Sequence, residues 1–401
     1  MLQISNFIGK LEKIVEGSFL FAIFILPFSI ALVEISLTAS FVAWLLLKAA
    51  KKEKLFQDQH LLILMALFLV TSSVSAFYSG YPTMSFKGII KIIKFLLIFL
   101  IAADFFKNKR RLDHLLFTGG VSLIIVLVDS TAQLAMGKDL IHGFKIHYAD
   151  YQIRLTGPYK FYGLLAAQLI AGLPLVLSAI LTNSDKKIVK QLFLTTVFFA
   201  VNFILYKTHS RGAWIASGVS LIVYALLVKS KKILVFLFAL IIVLPFVLPK
   251  NTIIHEDIND KEQSLIERYR LWERAGQVII KRPLFGCGIN TYTKNYPLYD
   301  EVKNWRVPGY YVHNGYLQLA AETGLTSLFL FLLVIGRSLL SGLKAIRSSP
   351  PHSKMIVIGI FCGCIALLIQ AGVDTTLHNL QPATLIWLFL GLLMGSQFRD
   401  A

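Results

Sequence analysis

A chain of 401 residues that is 56% hydrophobic and only 15% charged, with mean hydropathy +0.67, is too apolar to be an ordinary water-soluble domain. Its formal net charge of +18 would suggest nucleic acid in a soluble protein, but here the charge gathers in the connections between apolar runs, the pattern of a membrane protein with no nucleic-acid partner. Three cysteines, Cys287 in a loop and Cys362 and Cys364 inside an apolar run, indicate neither a disulfide framework nor a zinc site.

Continuous apolar runs, in place of the alternation of a barrel, predict an all-α polytopic membrane protein. About twelve transmembrane helices are expected, over 18–33, 35–47, 60–77, 88–106, 114–135, 161–181, 191–206, 212–228, 233–248, 315–340, 355–373 and 382–395. They form one integral membrane domain, 1–401. Lys10 and Lys13 precede an apolar run with no small-residue cleavage site, so the start of the chain reads as a retained first span. Alternate connections carry basic clusters: Lys48 to Lys54, Lys107 to Arg111, Lys186 to Lys190, Lys229 to Lys232, and Arg337 to Lys354. The positive-inside rule makes these cytoplasmic, with both termini inside. The opposite connections 78–86 and 374–381 hold no Lys or Arg, so basic residues elsewhere on the outer side need a reason beyond topology.

Lys87, Lys91 and Lys94, spaced i, i+4, i+7, put three cations on one face at the outer end of the fourth span. Snorkelling accounts for one or two; a ladder that draws an anionic lipid headgroup accounts for all three. Asp129, inside the fifth span, reads as an interhelical hydrogen-bonding group. The outer loop 136–160 holds His142, His147, Asp150 and Arg154; its histidines fit no zinc spacing, and Arg154 is the candidate substrate contact. Arg211 opens the eighth span, where an arginine opposes the helix dipole and so gains nothing locally. Either an anion or interfacial anchoring beside Trp214 explains it.

The one long outer loop, 249–312, is expected to have structure of its own. The capping box Ser264-Leu265-Ile266-Glu267 starts a helix that Pro283 ends. Leu265, Tyr269, Trp272, Gly276 and Ile279 form its apolar stripe, to lie on the membrane or the bundle; Arg270 and Arg274 point away and Arg268 flanks the stripe. Gly286 and Gly288 make a turn, without the preceding strand a phosphate cradle requires. Where the loop re-enters the membrane, Asn314 is the expected N-cap, and His313 stands just outside the first turn beside unpaired N–H groups. That position disfavours imidazolium and suits a base acting near neutral pH. Asp374 closes the eleventh span on the same side, able to cap an amide or to orient His313 or an arginine.

Ser210-Arg211-Gly212-Ala213-Trp214, Arg268 four residues before Trp272 and leading into Pro283-Leu284-Phe285-Gly286-Cys287-Gly288, and His313-Asn314 through Glu322-Thr323-Gly324-Leu325 together resemble the O-antigen ligase and polymerase superfamily. The resemblance implies a GT-C-like glycosyltransferase of a Gram-negative inner membrane, with a periplasmic active site in the long loop and no metal or other cofactor. Its partners would be an undecaprenyl-pyrophosphate-linked glycan donor, a lipid A-core acceptor in the ligase branch, and membrane lipids. His313 matches the family's catalytic histidine, Arg211 and Arg268 its essential arginines, and Asp374 a later acidic position; Arg154 before Gly157 resembles a further segment, although Lys160-Phe161-Tyr162 departs from the usual Pro-Asn. Polymerases and protein O-oligosaccharyltransferases would use the same residues with another acceptor. A lipid-linked glycan flippase or transporter is the reading from a different class.

Overall fold

The computed structural model describes residues 2–149, 152–182, 187–232, 234–235, 258–295 and 311–396. In chain order these form α1 (Leu2–Ile25), α2 (Ile30–Lys51), α3 (Gln59–Val74, extended by a 3-10 turn Ser75–Tyr78), α4 (Pro82–Asp104), α5 (Lys109–Met136), the hairpin β1 (His147–Ala149) and β2 (Gln152–Arg154), α6 (Tyr162–Leu181), α7 (Ile188–Lys207) and α8 (Arg211–Val228). They continue with α9 (Ile258–Lys281), the short α10 (Tyr292–Asn295), α11 (Gly315–Ser348), α12 (Pro351–Ala371) and α13 (Leu380–Ser396). Eight of the described helices, α2, α3, α5 to α8, α11 and α12, are long and apolar enough to cross a bilayer, and α13 is a shorter apolar helix. The protein is thus an all-α polytopic membrane protein. The expected ninth span, 233–248, lies outside the described residues apart from 234 and 235, as does much of the loop 249–312.

The first boundary differs from the expectation of spans over 18–33 and 35–47. Pro27 lies in the break between α1 and α2, and Ser29 caps α2 by accepting the Leu32 N–H at 3.4 Å. Hydrophobicity runs on through this break, so an apolar window could not find it. The break allows α1 to begin far earlier, with its polar turn ion-paired at the basic end of the bundle: Glu12 to Lys51 at 2.6 Å and to Arg111 at 2.7 Å.

The bundle closes around α12 and α13, whose residues are mostly buried. α12 packs against α6 and α8, and α13 against α4. Small residues permit this, as membrane helices without a hydrophobic drive between them require. A Cβ at Gly391 or Gly395 would stand 2.4 Å from the carbonyl oxygen of Phe99 or Ala103, so α4 and α13 meet backbone to backbone.

The outer loop docks on α11. α9 begins at Ile258, ahead of the expected capping box, and its buried face is Leu271, Arg274, Ala275 and Val278. The expected stripe holds in part: Trp272 and Ile279 pack against the loop cluster, but Tyr269 is 69% exposed, and Arg274, expected to point away, is buried and donates to the Arg270 carbonyl at 3.1 Å. Leu265 lies outside the described side chains. The apolar tally favoured Tyr269 on residue type, but the cluster of Ala275, Val278, Cys287, Tyr292, Val312 and Ala321 selects a face about one residue round the helix.

Below that cluster α11 breaks at Gly324, φ 83° and ψ 168°. The freed backbone groups are taken up by the loop after α9: the Leu325 N–H donates to Pro283 O at 2.8 Å, and the Cys287 and Gly288 N–H groups donate to Ala321 O and Glu322 O at 2.9 and 3.0 Å. Such a break is tolerable at membrane depth only with replacement partners of this kind. A Cβ at Gly324 would lie 2.0 Å from Leu284 O, whereas one at Gly336 would meet nothing within 4 Å. Gly324→Ala is therefore expected to lose more than the about 1–3 kcal/mol of a strained φ, seen as a fall in melting temperature of the purified protein, and Gly336→Ala to leave it unchanged or slightly higher.

Candidate active site

Two helices that start at the end of the bundle away from the basic connections use the same backbone device. His209 and His313 both have φ 52°, in the left-handed region. Each is followed by an extended residue, Ser210 or Asn314, and then by the first helical residue, Arg211 or Gly315. The Asn314 side chain accepts from the N–H groups of Tyr316 and Leu317 at 3.1 and 3.0 Å, as expected of an N-cap. This turn fixes His313 just outside the helix, half-buried.

The other elements meet His313 at one place, the turn Val373-Asp374 that follows α12. The Gly315 N–H donates to the Asp374 carbonyl at 3.1 Å, which pins the start of α11 to that turn. His313 Nδ1 lies 3.7 Å from Asp374 Oδ1, within ion-pair range and just beyond hydrogen-bonding distance. The same oxygen accepts the Thr375 N–H at 2.7 Å, so Asp374 both caps an amide and faces the imidazole. Arg268, from α9, donates to the Val373 carbonyl at 3.3 Å. Gly212, next to Arg211, rests on Val373, since a Cβ there would lie 2.5 Å from Val373 Cγ2. Gly163, on α6, rests on Asp374, where a Cβ would lie 2.8 Å from Oδ2.

Arg154 comes to the same end by another route. Gln133 of α5 accepts the N–H groups of Thr156 and Gly157 at 3.0 and 2.9 Å, holding the turn after β2. The Leu155 N–H donates to Lys207 O at 3.0 Å at the end of α7, and the Arg154 guanidinium stands 5.1 Å from the Tyr162 ring at the start of α6. Asp129 serves this region too. It accepts the Leu140 N–H at 2.8 Å, a loop contact in place of the expected interhelical one.

The lysine ladder is not one open face. Lys87 is exposed, Lys91 is half-buried and donates to the His378 carbonyl, and Lys94 pairs with Glu34 of α2. The spacing put them on one side of α4, but packing of α2 and of the turn after α12 takes the two deeper ammonium groups inward. Lys91 instead borders a cavity of about 80 Å³, shared with Asn290, Gln318, Glu322 and His378.

That polar layer was missed as a site. Glu322 is buried in α11 and accepts from the Asn290 and Tyr292 N–H groups at 2.8 and 3.3 Å and from Gln318 Nε2 at 3.3 Å, so one carboxylate holds the outer loop. A carboxylate within an apolar run was the available signal. Among the described residues, no group of three or more His, Cys, Asp or Glu is arranged to hold a metal ion.

Residues 194–332 match the O-antigen ligase family. Over that stretch the chain is similar to O-antigen ligases. The match takes in Arg211, Arg268 and His313, whereas Asp374 lies beyond it. A comparison with curated proteins gave no match. The superfamily resemblance read from the sequence is borne out.

His378, in the turn after α12, packs 4.6 Å ring to ring from Tyr311, and its Nδ1 accepts from Gln318 Nε2 at 3.1 Å. Burial, and then the charge of Lys91, push its pKa down to about 3. The unfolded chain would bind a proton at about 6.5, so between these values the unfolded state holds more protons than the folded one. Stability is then full above about pH 6.5 and is lost as pH falls toward 3. Melting curves at pH 7 and pH 5 are expected to show wild type losing stability at pH 5, and His378→Asn, which keeps an acceptor but cannot titrate, losing less.

Proposed function

We propose that the protein is an O-antigen ligase that moves glycan from undecaprenyl pyrophosphate to a sugar hydroxyl of the lipid A core, at the periplasmic face of a Gram-negative inner membrane. The observation that carries this reading is the convergence of His313, Arg268 and the start of α8 on the Val373-Asp374 turn. It is supported by the O-antigen ligase match over 194–332.

With Nδ1 toward Asp374, the other ring nitrogen, Nε2, is the one left to face substrate, and a carboxylate behind a histidine base stabilises the imidazolium that forms. His313 takes the proton of the incoming hydroxyl as its oxygen bonds to the anomeric carbon. The bond from that carbon to the pyrophosphate oxygen breaks at the same time, and the electron pair leaves with undecaprenyl pyrophosphate. Arg211 and Arg268 neutralise that leaving group. Direct displacement of this kind inverts the anomeric centre. Arg154, beside the start of α6, is a further cation available to the donor. Of the lysines, Lys87 has the exposure to meet a headgroup, and Lys91 and Lys94 act through their internal partners.

A polymerase or a protein O-oligosaccharyltransferase would run the same step on another acceptor, and product analysis with lipid A core as acceptor decides between them. A transporter would move lipid-linked glycan and form no glycoside. In a reconstituted transfer assay, His313→Ala is expected to lower the rate about 10²–10⁴-fold, and Arg268→Ala about 10²–10³-fold. Added chelator is expected to leave the wild-type rate unchanged. Folded, inserted His313→Ala and Arg211→Ala proteins that still transfer at the normal rate would overturn the proposal.

A further inference from the structure

At the end of the bundle opposite His313, α5, α6 and α7 do not close on one another. A cavity of about 560 Å³ lies between them, with α12 and α13 behind. Its walls are mostly apolar, Leu116, Ile124, Leu175, Phe193 and Leu388 among them, with Gln168, Ser178 and Thr182 of α6 and its end as the polar exceptions, and its rim carries Asp113, Lys190 and His352. From Asp113 to Ile124 along α5 it runs about 17 Å at 1.5 Å per residue, over half the thickness of a bilayer core. Voids of this size are not left in packed interiors.

Two residues on its wall point to a purpose. Gly119 and Gly120 stand side by side within α5, and a Cβ added to either would meet nothing within 4 Å. Neither has positive φ, and neither lets another helix approach. Glycine weakens a helix relative to alanine, so the pair costs stability without the usual return in backbone shape or close packing. What the pair does is hold the groove open.

The rim states what enters. Lys190 and His352 lie in the first turns of α7 and α12, where unpaired N–H groups and the helix dipoles favour an anion. Asp113, in the second turn of α5, adds a negative charge to the same rim. A phosphate held by Lys190 and His352 and an amine beside Asp113 describe a zwitterionic headgroup, above mostly apolar walls that suit an acyl chain. The flanking Lys109, Arg110, Lys187 and Lys354 belong to the basic end of the bundle. We infer that this groove is a binding site for an aminophospholipid of the cytoplasmic leaflet, one acyl chain between α5, α6 and α7 and its headgroup on Asp113, Lys190 and His352.

The test uses the full-length protein, stripped of lipid in detergent and offered phosphatidylethanolamine and phosphatidylglycerol in equal amounts, with native mass spectrometry as readout. Wild type is expected to hold one phosphatidylethanolamine per chain. Gly120→Leu, which fills the groove, should lose it with an unchanged or higher melting temperature. Lys190 is exposed, so Lys190→Glu gives a second variant safe for folding, expected to bind about fivefold more weakly or worse. Absence of bound lipid in wild type, full retention in either variant, or equal retention of phosphatidylglycerol would each overturn the assignment.

Discussion

The end of the bundle that holds His313 depends on a single turn of backbone, Val373-Asp374. Its two carbonyls receive the Gly315 N–H and the Arg268 guanidinium, and its two side chains are the surfaces on which Gly212 and Gly163 rest. Four elements that are far apart along the chain, α6, α8, α9 and α11, are thereby set relative to one another through α12. Two of these contacts favour glycine, because a Cβ would press on the Val373 methyl or the Asp374 carboxylate and one of the two partners would have to shift. His313 and Arg268 thus take their places from a scaffold of spans and not from the loop alone, an arrangement that would keep the proposed reacting groups aligned.

A second polar layer supports the first from beneath. Glu322 holds the backbone of the outer loop, the broken α11 shares its peptide groups with residues 283–288, and Lys91 secures the turn that carries His378. Charged and unpaired backbone groups at this depth are costly unless each finds a partner. Here the partners come from residues 283–292 of the loop, so that segment is part of the bundle. The burial of Cys287, whose thiol is pushed up to about 12 by burial and by the Glu322 charge, reflects the same docking.

Much of the fold was legible because long apolar runs record the spanning helices directly. Asn314 as N-cap and His313 outside the helix followed from local rules, and the structure has both. The Pro27 break was not legible, since hydrophobicity continues across it. Periodicity put Tyr269 on the buried face of α9, but only the partner surface on α11 decides which face that is, and it selects Arg274. The lysine ladder failed for a related reason: helical spacing says which side of α4 the residues share, not that Glu34 and the His378 carbonyl wait there. The contacts that unite the site run through Gly163, Gly212 and the main chain of Val373, residues without chemistry of their own; Gly212 sits inside the quoted Ser210 to Trp214 motif, but nothing in a single sequence says that it rests on Val373.

The central claim is that Asp374 acts through His313, and a double-substitution cycle on transfer rate tests it most directly. The rates of His313→Ala, Asp374→Asn and the double variant would be measured on lipid-linked donor with lipid A core as acceptor. The account predicts that Asp374→Asn slows the wild-type enzyme but slows His313→Ala no further. Losses that multiply would contradict it, because the two side chains would then be acting independently.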